Sequence, residues 1–139
     1  MDDTELKSLL ESARTVAIVG LSTDPEKTSS RIGALLVDAG YDVIPVHPKA
    51  AEVLGRKAYP SLADIPVHVD IVDVFRPADE TPAIAKSAVA IGADTLWLQL
   101  GIASAEARRI AEASGLTYLE DICIGETTKR LGNWARAEV

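Results

Sequence analysis

Residues 15–33, TVAIVGLSTDPEKTSSRIG, decide the fold of this chain. The apolar run 16–19 reads as a short buried strand, and it meets Gly20, which permits a tight turn and a close backbone approach. Ile32, Leu35, Leu36 and Ala39 then recur at helical spacing, with Gly40 at the expected C-cap. Strand, glycine turn and helix start are the opening of a dinucleotide-binding βαβ unit. The usual G-x-G-x-x-G is not completed. One glycine is followed by Ser, Thr, Pro, Lys and a run of hydroxyls, so the loop is long and rich in side chains.

The same alternation continues on both sides. Leu6, Leu9, Leu10 and Ala13 form an N-terminal helical stripe, suited to covering a sheet or to dimerising. Strand runs are expected at 41–46, 69–75, 95–100 and 116–119. Thr81 caps one helix with Pro82 at its first position, and Gly92 ends it; Ser104 caps another, which Gly115 ends. The stretch 50–66 is looser, with a short helical turn around 61–64, and a last short helix is expected over 127–134. Strand–helix alternation of this kind implies right-handed crossovers and a parallel sheet covered on both faces. The expectation is one Rossmann-like α/β domain over 1–139, with five parallel strands in the order 3-2-1-4-5 and helices on both faces.

Composition narrows the ligand. The 139 residues are 47% hydrophobic and 25% charged, with a formal net charge of −7. An acidic surface repels nucleic-acid backbones. No apolar run reaches the ~20 residues needed to span a bilayer. The amphipathic start MDDTELKSLLESAR lacks the basic and apolar regions of a signal peptide. The single Cys123 excludes an intrachain disulfide and suits a reducing cytoplasm. An anionic ligand would therefore have to be held by local donors against an unfavourable overall field.

Such donors gather where the fold class puts ligands, at the carboxyl ends of the strands. Past Gly20, Leu21 and Ser22, the start of the next helix carries Thr28, Ser29 and Ser30 between Lys27 and Arg31. Hydroxyls and free N–H groups there either receive an anion or simply cap the helix. After the second strand the chain reads VIPVHPKA. An NAD site would place an acid there for the ribose; His47 and Lys49 offer donors and positive charge instead. That chemistry fits a phosphorylated ribose, as in NADP or in the 3′-phosphoadenosine of coenzyme A. At the third strand end, Phe75 either stacks on adenine or closes the core, and Arg76 pairs with a phosphate or with an acidic neighbour. In the fourth strand Trp97 and Gln99 share a face. Trp97 reads as core, and Gln99 as the polar candidate nearer the ligand.

Taken in order, the segments GLS, GYDVIPVHP, EVLGRKAYPSLADIP, VDIVDVFRP and TLWLQLGI resemble the small stand-alone CoA-binding proteins. That family is similar to the CoA-binding domain of the succinyl-CoA synthetase α subunit. The resemblance spans about 15–121. It implies a Rossmann-like fold with CoA held across the strand ends. Gly20, Leu21 and Ser22 would then form the phosphate loop, with Lys27 and Ser29 at its basic and serine positions. Val46, Pro48 and Lys49 would line the nucleotide; Val74, Phe75 and Arg76 would form the next wall; Gln99 and Gly101 would close the site. The chain departs from the family at His47, where Asn or Ser is usual, and at Ile122, which replaces an arginine before the retained Cys123.

Catalytic constellations are thin. His47 and His68 lie in no nucleophile or metal-ligand spacing, and no paired carboxylates announce acid–base work. Asp70 and Asp73 read as structural acids bonded to a neighbouring helix start. Cys123 reads as a small buried hydrophobe, or as a thiol able to form a mixed disulfide with CoA. The expectation is a non-catalytic or accessory module for CoA or an acyl-CoA, acting as carrier, sensor or partner. It would be cytoplasmic, a monomer or weak homodimer, without metal, nucleic acid or membrane. The alternatives are a small NADP-binding oxidoreductase and a vestigial interaction domain.

Overall fold

The run after Arg14 is the strand β1 (Thr15–Val19), and everything else in the chain is arranged around it. The computed structural model describes residues 1–132. In chain order these form α1 (Asp3–Ser12), β1, α2 (Thr28–Asp38), β2 (Asp42–Val46), the small hairpin β3 (Glu52–Val53) and β4 (Arg56–Lys57), β5 (Ile71–Val74), α3 (Thr81–Ala90), β6 (Thr95–Leu98), α4 (Ala105–Ala113), β7 (Thr117–Leu119) and α5 (Ile124–Leu131). The α/β, Rossmann-like class expected from the alternation holds: β1, β2, β5, β6 and β7 pair in parallel throughout. Among the described residues no helix is long and apolar enough to cross a membrane.

The strand order is not the expected 3-2-1-4-5. It runs β2-β1-β5-β6-β7, which in order of appearance is 2-1-3-4-5. The reason lies in Pro45. A strand residue's N–H and C=O point to the same side, and the Pro45 carbonyl accepts from the Tyr59 N–H on the side away from β1. The missing proline N–H therefore faces outward, where no ladder needs it, and proline confines β2 to the edge. The third strand of the sheet, β5, docks on the free side of β1 instead, Val16 opposite Ile71 and Val19 opposite Val74.

Alternation along the strands builds two apolar layers. Ile18, Ile71 and Trp97 face Leu6 and Leu10 of α1, Leu36 of α2 and Ile124 of α5. Ala17, Val72, Leu96 and Leu98 face Ala85 and Ala88 of α3 and Ala107 and Ala111 of α4. The N-terminal stripe thus covers the sheet: Asp2 and Glu5 close a capping box at the start of α1, and Leu6 and Leu10 are buried. Trp97 is core, as expected, its indole N–H donating to the Ile122 carbonyl at 2.8 Å.

Three local readings are corrected. The loose stretch contains the hairpin β3–β4, turned by Leu54 and Gly55, both at positive φ. Leu54 occupies a conformation that glycine or asparagine normally supplies, so the sequence carried no hairpin signal. Its side chain rests over Gly33 of α2, where an added Cβ would come within 2.9 Å of it. Thr81 is the first helical residue of α3 and not its cap; Glu80 holds the cap position, and the Thr81 hydroxyl donates to the Ala78 carbonyl. The last helix begins at Ile124, ahead of the expected 127, and the Trp134 end of that expectation lies outside the described residues.

Asp70 and Asp73 prove to have different surroundings. Asp70 does not bind a helix start: its Oδ2 accepts from the Arg14 and Thr15 N–H groups at 2.8 and 2.9 Å and fixes the entry to β1. Asp73, in the middle of β5, is fully buried, and neither carboxyl oxygen meets a hydrogen-bond donor among the described residues. Burial pushes its carboxyl well above the usual range, because the core disfavours the charged form.

Candidate functional site

Crossovers diverge between β1 and β5, and that reversal opens a crevice at the strands' carboxyl ends. Gly20 makes the crevice possible. Its φ is +90°, and an added Cβ would stand 2.7 Å from the Phe75 carbonyl oxygen and 2.9 Å from the Arg76 Cδ. The exits of the two central strands therefore approach as closely as backbone allows.

Beyond Gly20 the loop is tied to the helix that follows it. The Ser22 N–H donates to the Ser29 Oγ at 3.0 Å, and the Ser30 hydroxyl donates back to the Ser22 carbonyl at 2.7 Å. Ser29 and Ser30 are buried by this staple. Their hydroxyls shape the loop, and neither caps the helix: Lys27 holds the N-cap position and offers no side-chain acceptor. The first turn of α2 has no acidic residue and lies between the exposed Lys27 and Arg31. Its unfilled N–H groups and positive end suit an anion.

Two adjoining clefts result, sharing Arg76. The first, of about 500 Å³, lies over β1 and β2; Gly20, Leu21, Ser22, Val46, His47 and Pro48 line it, together with Pro60, Glu80 and Ile84. The Leu21 side chain is fully buried and Val46 nearly so, leaving mainly backbone to face the cleft. His47 is oriented by its own loop, its Nδ1 accepting from the Lys49 and Ala50 N–H groups at 3.1 and 2.9 Å. The remaining ring proton is therefore on Nε2, as a donor. The second cleft is an apolar groove of about 540 Å³ over β5 and β6, lined by Phe75, Pro77, Gln99, Leu100, Ile102 and Cys123, with Ile32 and Thr28 of α2 and Glu126 of α5 on its other side.

Arg76, at the junction, pairs bidentately with Glu80, Nε to Oε1 at 3.0 Å and Nη2 to Oε2 at 2.7 Å. Hydrogen bonding from Arg76 holds the Glu80 carboxyl below its ordinary value. Both side chains are nearly half exposed, so an incoming phosphate can exchange for the carboxylate at little cost. Gln99 is 4% exposed, and its side-chain carbonyl accepts from the Ile124 N–H at 3.1 Å, so it caps α5 and thereby sets Cys123 on the groove wall.

Of the residues singled out in the sequence, the structure gathers Gly20, Leu21, Ser22, Val46, His47, Pro48 and Arg76 in the first cleft, and Phe75, Arg76 and Gln99 in the groove. Lys27, Ser29, Arg31, Lys49, Val74 and Gly101 line neither. Val74 is wholly buried, and the Gly101 N–H is taken by the Asp121 carboxylate at 2.6 Å. Missed were Glu80, legible as the i+4 partner of Arg76 in RPADE, and Pro60, which reaches the cleft only through the bridge between Val46 and Tyr59.

The donor set fits a CoA-type ligand. A Cβ-free cradle at Gly20, an uncapped helix start, the His47 Nε2–H and the Arg76 guanidinium suit phosphates, and the apolar groove suits a long tail. Comparison with known proteins agrees. The family model described as "CoA binding domain" matches residues 14–128. The uncharacterized protein YneT of Bacillus subtilis is 38% identical over 120 residues, covering 86% of this chain and 89% of that protein. Acetate–CoA ligase [ADP-forming] I of Archaeoglobus fulgidus is 30% identical over 124 residues, but the match spans only 18% of the ligase. A hypothetical protein from Pyrococcus horikoshii OT3 superposes with a TM-score of 0.92 at 35% identity, over 94% of this chain and 92% of that one. The chain belongs to the CoA-binding domain family.

Proposed function

We propose that the chain, as a single domain, binds coenzyme A or an acyl-CoA across the strand ends without catalysing a reaction by itself, serving as carrier, sensor or partner module. The observation that carries this reading is the pair of clefts joined at Arg76. A cleft of about 500 Å³ that brings Ser22, His47 and Arg76 together, beside a more apolar groove of about 540 Å³, matches a ligand with a phosphorylated nucleotide head and a long, mostly neutral tail. The head belongs with Gly20, Ser22 and His47, the phosphates near Arg76, and the tail along Phe75 and Leu100 toward Cys123.

The non-catalytic part rests on the state of the cleft's histidine. His47 Nδ1 already accepts from two backbone N–H groups, so it does not stand ready as a base. Likeness to a segment of acetate–CoA ligase supports a role on the CoA side of such chemistry, with any partner supplying the rest. A cytoplasmic monomer or weak homodimer is consistent with this role.

Calorimetry with CoA, acetyl-CoA, NADP and NAD on one preparation tests the proposal. CoA or acetyl-CoA should bind, and Arg76→Ala should weaken binding at least about tenfold, as loss of a charge-assisted contact predicts. Tight NADP binding without a CoA signal, or silence with all four, would overturn it.

A further inference from the structure

The opposite pole of the sheet holds a second constellation that the CoA reading does not use. His68 and Asp70 are two residues apart on the segment entering β5, on either side of the buried Val69. Asp94 immediately precedes β6. Since Ile71 is in register with Thr95, Asp94 stands beside Asp70 across the ladder. The backbones of both aspartates are tied down: the Asp70 N–H donates to the Thr15 carbonyl at 3.1 Å, the Asp70 carbonyl accepts from Thr95 at 3.0 Å, and the Asp94 carbonyl accepts from Thr117 at 3.0 Å.

The side chains converge. His68 Nε2 lies 3.0 Å from Asp94 Oδ2 and 3.6 Å from Asp70 Oδ1, and one ligand atom from each residue falls within 4.8 Å of the others. A metal shell with bonds of about 2.1 Å puts neighbouring donor atoms about 3.0–3.4 Å apart, close to the two distances from His68 to the carboxylates. Asp70 is oriented as a ligand should be, Oδ2 taken by two backbone N–H groups and Oδ1 turned to the cluster. A cavity of about 730 Å³, bordered by Ser8, Asp70, Asp94, Thr95 and Thr117, gives solvent and ions access from beneath α1.

We propose that His68, Asp70 and Asp94 form a binding site for a divalent transition-metal ion at the amino ends of β5 and β6. Two carboxylates balance the charge of the ion, and the imidazole selects borderline cations such as Zn²⁺ or Co²⁺, with Mn²⁺ a weaker paramagnetic substitute, over Mg²⁺, which prefers oxygen alone. Bound there, the ion cross-braces the entrances of two adjacent strands and leaves its remaining positions to water.

The test uses untagged, chelator-treated protein. ZnCl₂ should raise the melting temperature where equal MgCl₂ does not. The chain has two histidines, so substoichiometric Mn²⁺ should broaden one ring resonance, which His68→Gln removes, and spare that of His47. His68→Gln and Asp94→Asn should each weaken Zn²⁺ binding about tenfold or more, with CoA binding unchanged. Stabilisation by Zn²⁺ undiminished in both variants, an equal effect of Mg²⁺, or an unbroadened His68 ring would each overturn the proposal.

Discussion

Asp73 offers the sharpest test of the packing, because its cost depends on pH in a way that no neighbour can imitate. The carboxyl is fully buried in β5, has no hydrogen-bond donor among the described residues, and is held well above the ordinary carboxylate range by burial. In the unfolded chain it titrates near the usual ~3.9. Above that pH the unfolded state loses the proton while the folded state keeps it. The folded protein then binds more protons than the unfolded one, and its stability falls as pH rises. The slope is about 1.4 kcal/mol per pH unit, continuing until the folded carboxyl itself ionises. Asp73→Asn keeps the shape and cannot ionise, so it removes this slope and leaves those of all other carboxylates. Urea denaturation of both proteins at intervals from about pH 4.5 upward should show the variant gaining on the parent by about 1.4 kcal/mol per unit. Parallel curves would mean that folded Asp73 is ionised and paired, and the description of this layer would be wrong.

The other expectations concern the strand ends. Gly20→Ala combines a positive φ with a Cβ 2.7 Å from the Phe75 oxygen; chemical denaturation should show a loss of more than about 1 kcal/mol, and CoA binding should disappear. Glu80→Gln removes the carboxylate that competes for Arg76, so calorimetry should find CoA bound several-fold tighter; equal or weaker binding would count against an exchange of partners. Gln99→Leu orphans the buried Ile124 N–H, which should cost about 1–3 kcal/mol in urea and quicken alkylation of Cys123 as the start of α5 loosens.

How much of this was legible in the chain follows from the range of the forces involved. Periodicity and punctuation are local, and they located the five strands of the sheet, the helices between them and the loops at the carboxyl ends. The crevice residues around Gly20, His47 and Arg76 were legible for the same reason, since strand ends carry the ligand loops of this architecture. Strand order is a question of which edge a distant segment docks on. Pro45 held the clue, because a missing N–H matters only once it is known which side of β2 needs one.

What the tertiary structure alone decided is where each polar group spends its hydrogen bonds. Ser29, Gln99 and Gly101 read as ligand contacts, yet their groups are engaged by Ser22, Ile124 and Asp121. Asp73 looked like any strand acid and proved to have no hydrogen-bond partner among the described residues, whereas His68, Asp70 and Asp94 meet only because parallel register aligns two strand entrances. The linear pattern determines which faces are apolar and where the backbone must turn. A hydrogen bond or a ligand cluster needs atoms placed within a few ångströms, and residues far apart in sequence acquire that placement only through packing.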